Sequence, residues 1–142
     1  MDKPMMPISI CITTYQSGEV LIPNIERISE SYPDIEFCIT DNFSNDNTYE
    51  KIKKLNNDKI KIKKIKSTRG KGRNIAVETA TSEIILIIDA DVYINNIEKY
   101  LDIYISKYYG KILNIIGINK GSWAMFITKS LFLNLEGFPD LN

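Results

Sequence analysis

The chain contains no histidine, which removes the commonest general base at neutral pH and the commonest transition-metal ligand. A Ser-His-Asp triad and a histidine zinc site are therefore excluded. Cysteine is nearly as scarce: Cys11 and Cys38 are too few for a four-thiolate site. Each lies inside an apolar run, which reads as a buried free thiol in a reducing compartment and not as a disulfide. Net charge is absent as well, with 18 Lys plus Arg against 18 Asp plus Glu, so no long-range field of one sign follows from the total. No segment approaches the roughly 20 apolar residues that span a bilayer. The opening Met1–Pro7 stretch lacks the apolar run of a signal peptide. The expectation is a soluble, cytoplasmic protein, with contact at a membrane surface left open. Any catalysis must use carboxylates, hydroxyls, amides, Lys, Arg or an oxygen-ligated cation.

What is present is an alternation of two periodicities. The length of 142 residues and the hydrophobic content of 44% suit one domain over residues 1–142. Ile8 to Thr14 reads as a strand, and Gly18 to Ser31 carries Leu21, Ile25, Ile28 and Tyr32 at helical spacing. The unit repeats with a strand over Ile35 to Thr40, a loop over Asp41 to Asn47 and a short helix bearing Tyr49, Ile52 and Leu55. Lys59 to Ile65 suggests a third strand and Gly70 to Ala80 a helix. Ile84 to Ile88 is an unbroken apolar run, as expected of a strand covered on both faces. Asn96 to Tyr108 reads as one further helix, Ile112 to Ile118 and Ala124 to Thr128 as strands, and Lys129 to Leu135 as a last short helix. Such alternation predicts an α/β fold with a mostly parallel central sheet and helices on both faces. Ligands then bind beyond the carboxyl ends of the strands.

Those ends are polar. Asp89-Ala90-Asp91 follows the most apolar strand, and two carboxylates this close are unfavourable unless a cation or hydrogen bonds hold them. Oxygen-only ligands suit Mg²⁺ or Mn²⁺, which would bridge to phosphate oxygens; a turn in which Asp91 serves as a cap is the plainer alternative. Asp46 suits a helix cap, whereas Asp41 comes too early for one and could accept from a ligand's N–H or sugar hydroxyl. Tyr15 offers a ring on which a base could stack, or is simply half-buried. Arg69-Gly70-Lys71-Gly72-Arg73-Asn74 opens a helix with cations and glycines, which fits phosphate binding or a solvated basic turn. It lacks the third glycine of a dinucleotide fingerprint, and the chain has no Gly-Lys-Ser/Thr loop.

Together these segments resemble the GT-A glycosyltransferases, and among them the inverting group known as family 2. Ile8 to Gln16 is similar to that family's opening strand, and Asp41-Asn42-Phe43-Ser44-Asn45-Asp46-Asn47-Thr48 to its Asp-Asp/Asn-Gly-Ser-x-Asp-x-Thr loop, with Phe43 in place of a small residue. Gly72-Arg73-Asn74-Ile75-Ala76 through Asp91 resembles its Ala-Arg-Asn-x-Gly helix, strand and Asp-x-Asp motif. The resemblance implies a three-layer, Rossmann-like GT-A sandwich and a hexosyltransferase that uses a nucleotide-sugar donor, most often a UDP-sugar. It implies that Thr13, Tyr15 and Asp41 hold the base, with Asp41 on the uracil N–H, and that Arg69 or Arg73 lies near base or phosphates. Asp89 would face the ribose, and Asp91, with Asp89 beside it, would bind the divalent cation that neutralises the diphosphate leaving group.

An inverting transfer also needs a general base. In the family it lies just beyond a Gly-Gly-Phe-Asp-Glu-like turn; Glu136-Gly137-Phe138-Pro139-Asp140 matches that turn, and the sequence ends at Asn142. The expectations are a domain without the acceptor and base segment that binds donor but transfers poorly, a partner chain that completes the site, or Asp140 as the base. Trp123 could line the acceptor side or belong to the core. Two other functions compete. An Asp-x-Asp phosphatase would carry its motif after the first strand, not the fourth. Residues 51–73 hold 11 of the 18 basic residues and one acid, Asp58, a block that could bind nucleic acid or anionic lipid. Alternating lysines on Lys59 to Lys66 are better explained as the guard of an edge strand, which makes nucleic acid the weaker reading.

Overall fold

The computed structural model describes residues 5–116 and 123–139. The chain runs β1 (Ile8–Thr14), α1 (Gly18–Ser31), β2 (Glu36–Asp41), α2 (Thr48–Lys54), β3 (Ile60–Lys64), α3 (Arg69–Thr79), β4 (Ile84–Ile88), α4 (Ile97–Ile103), β5 (Leu113–Ile116), β6 (Trp123–Thr128) and α5 (Lys129–Asn134). The six strands form one sheet in the order β3-β2-β1-β4-β6-β5. β3, β2, β1 and β4 are parallel, β6 runs antiparallel to β4, and β5 antiparallel to β6. The reversal of strand order beside β1 places β1 and β4 at the switch point, where the crossovers diverge and a cleft opens.

Strand alternation sorts the interior into two unlike layers. Ile8, Ile10 and Ile12 of β1, Phe37 and Ile39 of β2, and Ile84, Leu86 and Ile88 of β4 face one side and pack with Leu21, Ile25, Ile52, Ile97, Leu101 and Tyr104 from the helices. The other side carries Cys11, Cys38, Ile85 and Ile87, covered by Ala76, Val77 and Ala80 around α3 and by Phe132 of α5. Small residues on both partners let α3 lie close to the sheet. Gly72 marks the nearest approach: a Cβ there would stand 2.6 Å from Thr13 Oγ1 and 3.0 Å from Thr40 Oγ1. Both cysteines are free and buried, in register across β1 and β2. Burial pushes the Cys11 thiol well above its ordinary pKa, with its neighbour Cys38 adding to the rise.

A polar staple closes the amino-terminal end of the same layer. Glu36, 8% exposed, accepts hydrogen bonds from Ser9 Oγ at 2.6 Å, Thr81 N at 2.8 Å, Thr81 Oγ1 at 2.9 Å and Lys61 Nζ at 2.6 Å. One carboxylate thus ties β1, β3 and the turn after α3 to β2. Burial by itself would raise its pKa, but the bonds from Lys61, Ser9 and Thr81 outweigh that and hold it down at about 2.

The element boundaries match the sequence expectations except at one helix. The segment expected to be a single helix over Asn96 to Tyr108 is α4 followed by a π-helical turn, Tyr104–Tyr108. Tyr104 continues the buried stripe of Ile97 and Leu101; its ring stacks 5.4 Å from Phe126 and its hydroxyl donates to Lys111 O at 2.8 Å. Tyr108, expected on the buried side, lies at the end of the π turn and is exposed. Of the strand expected over Ile112 to Ile118, β5 covers Leu113–Ile116, and residues 117 and 118 lie outside the described residues. β3 is an edge strand, and the lysines around it have structural partners: Lys61 pairs with Glu36, while Lys64 lies over the Phe43 and Tyr49 rings and Lys53 over Tyr49. Among the described residues no helix is long and apolar enough to cross a membrane.

Candidate functional site

The carboxyl ends of β1, β2 and β4 and the start of α3 enclose a cleft of about 670 Å³. Thr13 and Tyr15 enter it from β1, Arg69 from α3, and Asp89 and Asp91 from the loop after β4, so five of the residues singled out from sequence meet there. Thr14, Asn42 and Ser67 line it too. Thr14 Oγ1, Ser67 Oγ and, behind the cleft, Arg73 Nε are buried and have no hydrogen-bond partner among the described residues.

The Asp89-Ala90-Asp91 loop is held as a tight turn. Val92 N donates to Asp89 O at 3.0 Å, and the amide of Asn24 in α1 donates to the carbonyls of Ala90 at 3.1 Å and Val92 at 3.4 Å. Asn24 escaped the sequence reading, although a polar residue one turn from Leu21 on the buried face of α1 was its signal. Asp89 accepts from Arg73 Nη2 at 2.8 Å. Arg73 does not line the cleft; it stands behind Asp89, with its guanidinium 4.8 Å from the Trp123 ring and 5.3 Å from the Phe138 ring.

Asp41 is the other residue that the structure keeps out of the cleft. It is fully buried, and its carboxylate accepts from Ser44 Oγ at 2.5 Å and Ser44 N at 3.2 Å. Both of its oxygens accept from Ser44 of its own loop, and Asp41 is not among the residues that line the cleft. Ser44 Oγ in turn accepts from Gln16 N at 2.8 Å, and Gln16 and Asn45 join side chain to side chain and side chain to backbone. Asp41 therefore braces the loop that carries Tyr15, which stands 58% exposed at the rim. The cleft-facing residue is its neighbour Asn42, whose Oδ1 accepts from Ser67 N at 3.2 Å. Asp46 does cap, and doubly: it accepts from Thr48 N at 3.1 Å at the start of α2 and from Gly18 N at 3.2 Å at the start of α1.

A second turn packs on α3 outside the cleft lining. Gly137 takes φ +72, Asn74 Nδ2 donates to Phe138 O at 2.8 Å, and Phe138 N donates to Asn74 Oδ1 at 2.8 Å. The Glu136-to-Pro139 turn is thereby fastened to α3. Asp140, the candidate base, lies outside the described residues.

The groups that the cleft lining offers a cation are oxygens, among them the Asp89 and Asp91 carboxylates. That chemistry fits Mg²⁺ or Mn²⁺, which keep most of their positions for water and phosphate oxygens. Among the described residues no three His, Cys, Asp or Glu cluster to cage a metal without such help.

A three-layer sandwich with a cleft at the switch point and an Asp-x-Asp turn on its central strand is the GT-A type of glycosyltransferase fold. The chain belongs to glycosyl transferase family 2, whose family model matches residues 9–136. It is 30% identical over 98 residues to the poly(ribitol-phosphate) beta-N-acetylglucosaminyltransferase TarS of Staphylococcus aureus, a match covering 64% of this chain and 17% of that protein. It is also 30% identical over 89 residues to the UDP-Glc:alpha-D-GlcNAc-diphosphoundecaprenol beta-1,3-glucosyltransferase WfaP of Escherichia coli, covering 61% of this chain and 36% of that one. The chain thus spans well under half of either relative. Among solved structures, the mannosyltransferase PcManGT from Pyrobaculum calidifontis, in complex with GDP-Man and Mn²⁺, superposes with a TM-score of 0.76 at 17% identity over 94% of this chain and 47% of that one. TarS 1-349 in complex with UDP-GlcNAc gives a TM-score of 0.64 at 24% identity over 75% of this chain and 33% of that one.

Proposed function

We propose that this domain binds a nucleotide-sugar donor, most simply a UDP-sugar, in the cleft at the carboxyl ends of β1, β2 and β4, and presents the sugar for transfer. The observation that carries the reading is the meeting of Tyr15, Asn42, Arg69, Asp89 and Asp91 around one cleft in a family 2 chain. Tyr15 supplies a stacking face for the base, and Thr13 lies on the same wall. The amide of Asn42 replaces the carboxylate of Asp41 as the group that meets the base, since its Oδ1 is bonded to Ser67 N and its N–H₂ is left to donate to a ring carbonyl. Asp89 accepts from ribose hydroxyls. Arg69 at the start of α3 attracts the phosphates, and Arg73 acts on the donor through Asp89. Asp91, with Asp89 beside it, would hold Mn²⁺ or Mg²⁺, which supplies charge neutralisation for the departing diphosphate. The structural neighbours solved with UDP-GlcNAc in one case and with GDP-Man and Mn²⁺ in another support a nucleotide-sugar ligand.

Calorimetry with UDP, GDP and their sugar conjugates, with and without Mn²⁺, tests this. Nucleotide binding that needs Mn²⁺ and is lost in Asp91→Ala is expected; no binding of any nucleotide with metal present would end the reading. Transfer itself calls for a proton acceptor on the sugar-acceptor side, and Asp140 is the candidate to test: Asp140→Asn should leave UDP binding intact and abolish turnover if it serves.

A further inference from the structure

We infer that Arg73 is a positioning residue that makes capture of a divalent cation by Asp89-Ala90-Asp91 conditional on a bound nucleotide. The inference rests on the cation reading of Asp91 given above and concerns what the residue behind Asp89 does to it. Arg73 is itself firmly placed. Its side chain is 13% exposed and its guanidinium lies against the rings of both Trp123 and Phe138, which meet each other edge-on. Each ring is anchored in turn: Trp123 Nε1 donates to Asn114 Oδ1 at 3.1 Å, the Phe138 backbone is gripped by Asn74, and the Phe138 ring meets Phe132 edge-on at 5.7 Å. An arginine held this way cannot swing aside cheaply, since its aromatic contacts would be lost with the move.

Two consequences follow for Asp89. One of its oxygens accepts a charge-assisted bond of 2.8 Å from Arg73. A permanent positive charge also stands behind the place a cation would occupy, and in a partly enclosed cleft that repulsion is weakly screened. The Asp89-Asp91 pair is therefore a poor trap for a metal ion alone. A nucleoside diphosphate brings phosphate oxygens as ligands and negative charge that offsets Arg73, so cation and nucleotide enter together. An empty site thus stays free of metal, and Asp89 keeps an oxygen directed at the ribose.

The test is Mn²⁺ binding followed by electron paramagnetic resonance of the free ion, on the whole chain, with and without UDP. In the wild type Mn²⁺ alone should bind at least tenfold more weakly than Mn²⁺ in the presence of UDP. Arg73→Gln should tighten binding of Mn²⁺ alone about tenfold and weaken UDP binding, two shifts of opposite sign that general loosening of the fold would not produce. Arg73→Lys should stay near the wild type, and Asp89→Asn added to Arg73→Gln should remove the gain. Should Arg73→Gln fail to fold, Trp123→Leu, which opens the box on one side, should shift both affinities in the same directions by a smaller factor. UDP-dependent Mn²⁺ binding that is the same in folded Arg73→Gln and in the wild type would overturn this inference and leave the cation reading standing. Absence of Mn²⁺ binding to the wild type even with UDP would overturn both.

Discussion

Replacing Glu36 by glutamine keeps the shape of the staple and removes its charge. The native carboxylate titrates at about 2 against an ordinary 4.5. At about 1.4 kcal/mol per pH unit of difference, that depression corresponds to about 3 kcal/mol of stability. The side chain is 11% exposed but its partner Lys61 is 39% exposed, so solvent screens part of the ion pair and a loss of about 2 to 3 kcal/mol is expected. For a chain of this size that is roughly a 6 to 10 °C fall in Tm. The pH dependence gives the sign. Because the folded pKa lies below the unfolded one, the stabilisation is complete above about pH 4.5 and disappears as the pH falls towards 2. Urea unfolding of wild type and Glu36→Gln, followed by circular dichroism at pH 7, 5, 4 and 3, checks this, since every other carboxylate titrates in both proteins and cancels in the difference. The gap should be constant from pH 7 to about 5 and narrow at pH 4 and 3. A gap below about 0.5 kcal/mol at pH 7, or one that does not narrow in acid, would refute the assignment of Glu36 as a charged staple.

Gly72→Ala forces a Cβ against the Thr13 and Thr40 hydroxyls, so α3 must withdraw from the strand ends; about 1 to 3 kcal/mol of stability should be lost, together with most UDP affinity, read by thermal unfolding and calorimetry. Asp41→Asn weakens the hold on Ser44 and should cost about 1 to 3 kcal/mol. Its effect on UDP affinity should be smaller than that of Asn42→Ala, the reverse of the ranking expected were Asp41 to touch the base. Cys11 and Cys38 should resist a thiol-specific disulfide reagent in native buffer and both react after unfolding in guanidinium, because they are buried and Cys11 is held protonated. Fast native reaction would contradict the packing described for α3.

The order of the elements was legible in the sequence because each carried a local signal. Ile84 to Ile88 could only be a doubly covered strand, and Gly18 to Ser31 showed its buried stripe at helical spacing. Facts that depend on partners distant along the chain were not legible. Arg73, which the resemblance sets with Arg69 near base or phosphates, bonds Asp89 and lies against Trp123 of β6 and Phe138 of the last turn, contacts that no local pattern announces. Glu36 gave no hint of its role, since its donors come from β1, β3 and the turn after α3. Asp41 and Asn42 differ by one residue at a strand end, and only the bond from Ser44 decides which of them turns inwards.

The unlike layers on the two faces of the sheet divide the protein's capacity for change. The side packed by isoleucine, leucine and phenylalanine holds side chains whose volumes can be traded among one another, so substitutions there should be absorbed by repacking. On the α3 side the tight place is the seam where Gly72 meets the Thr13 and Thr40 hydroxyls: a larger residue there displaces the helix that carries Arg69 and Arg73. Sequence drift will therefore accumulate on the side remote from α3, while the helix that frames the cleft keeps its place. Library designs that aim to alter donor choice should vary the cleft rim at Tyr15 and Asn42 and leave the α3 seam untouched.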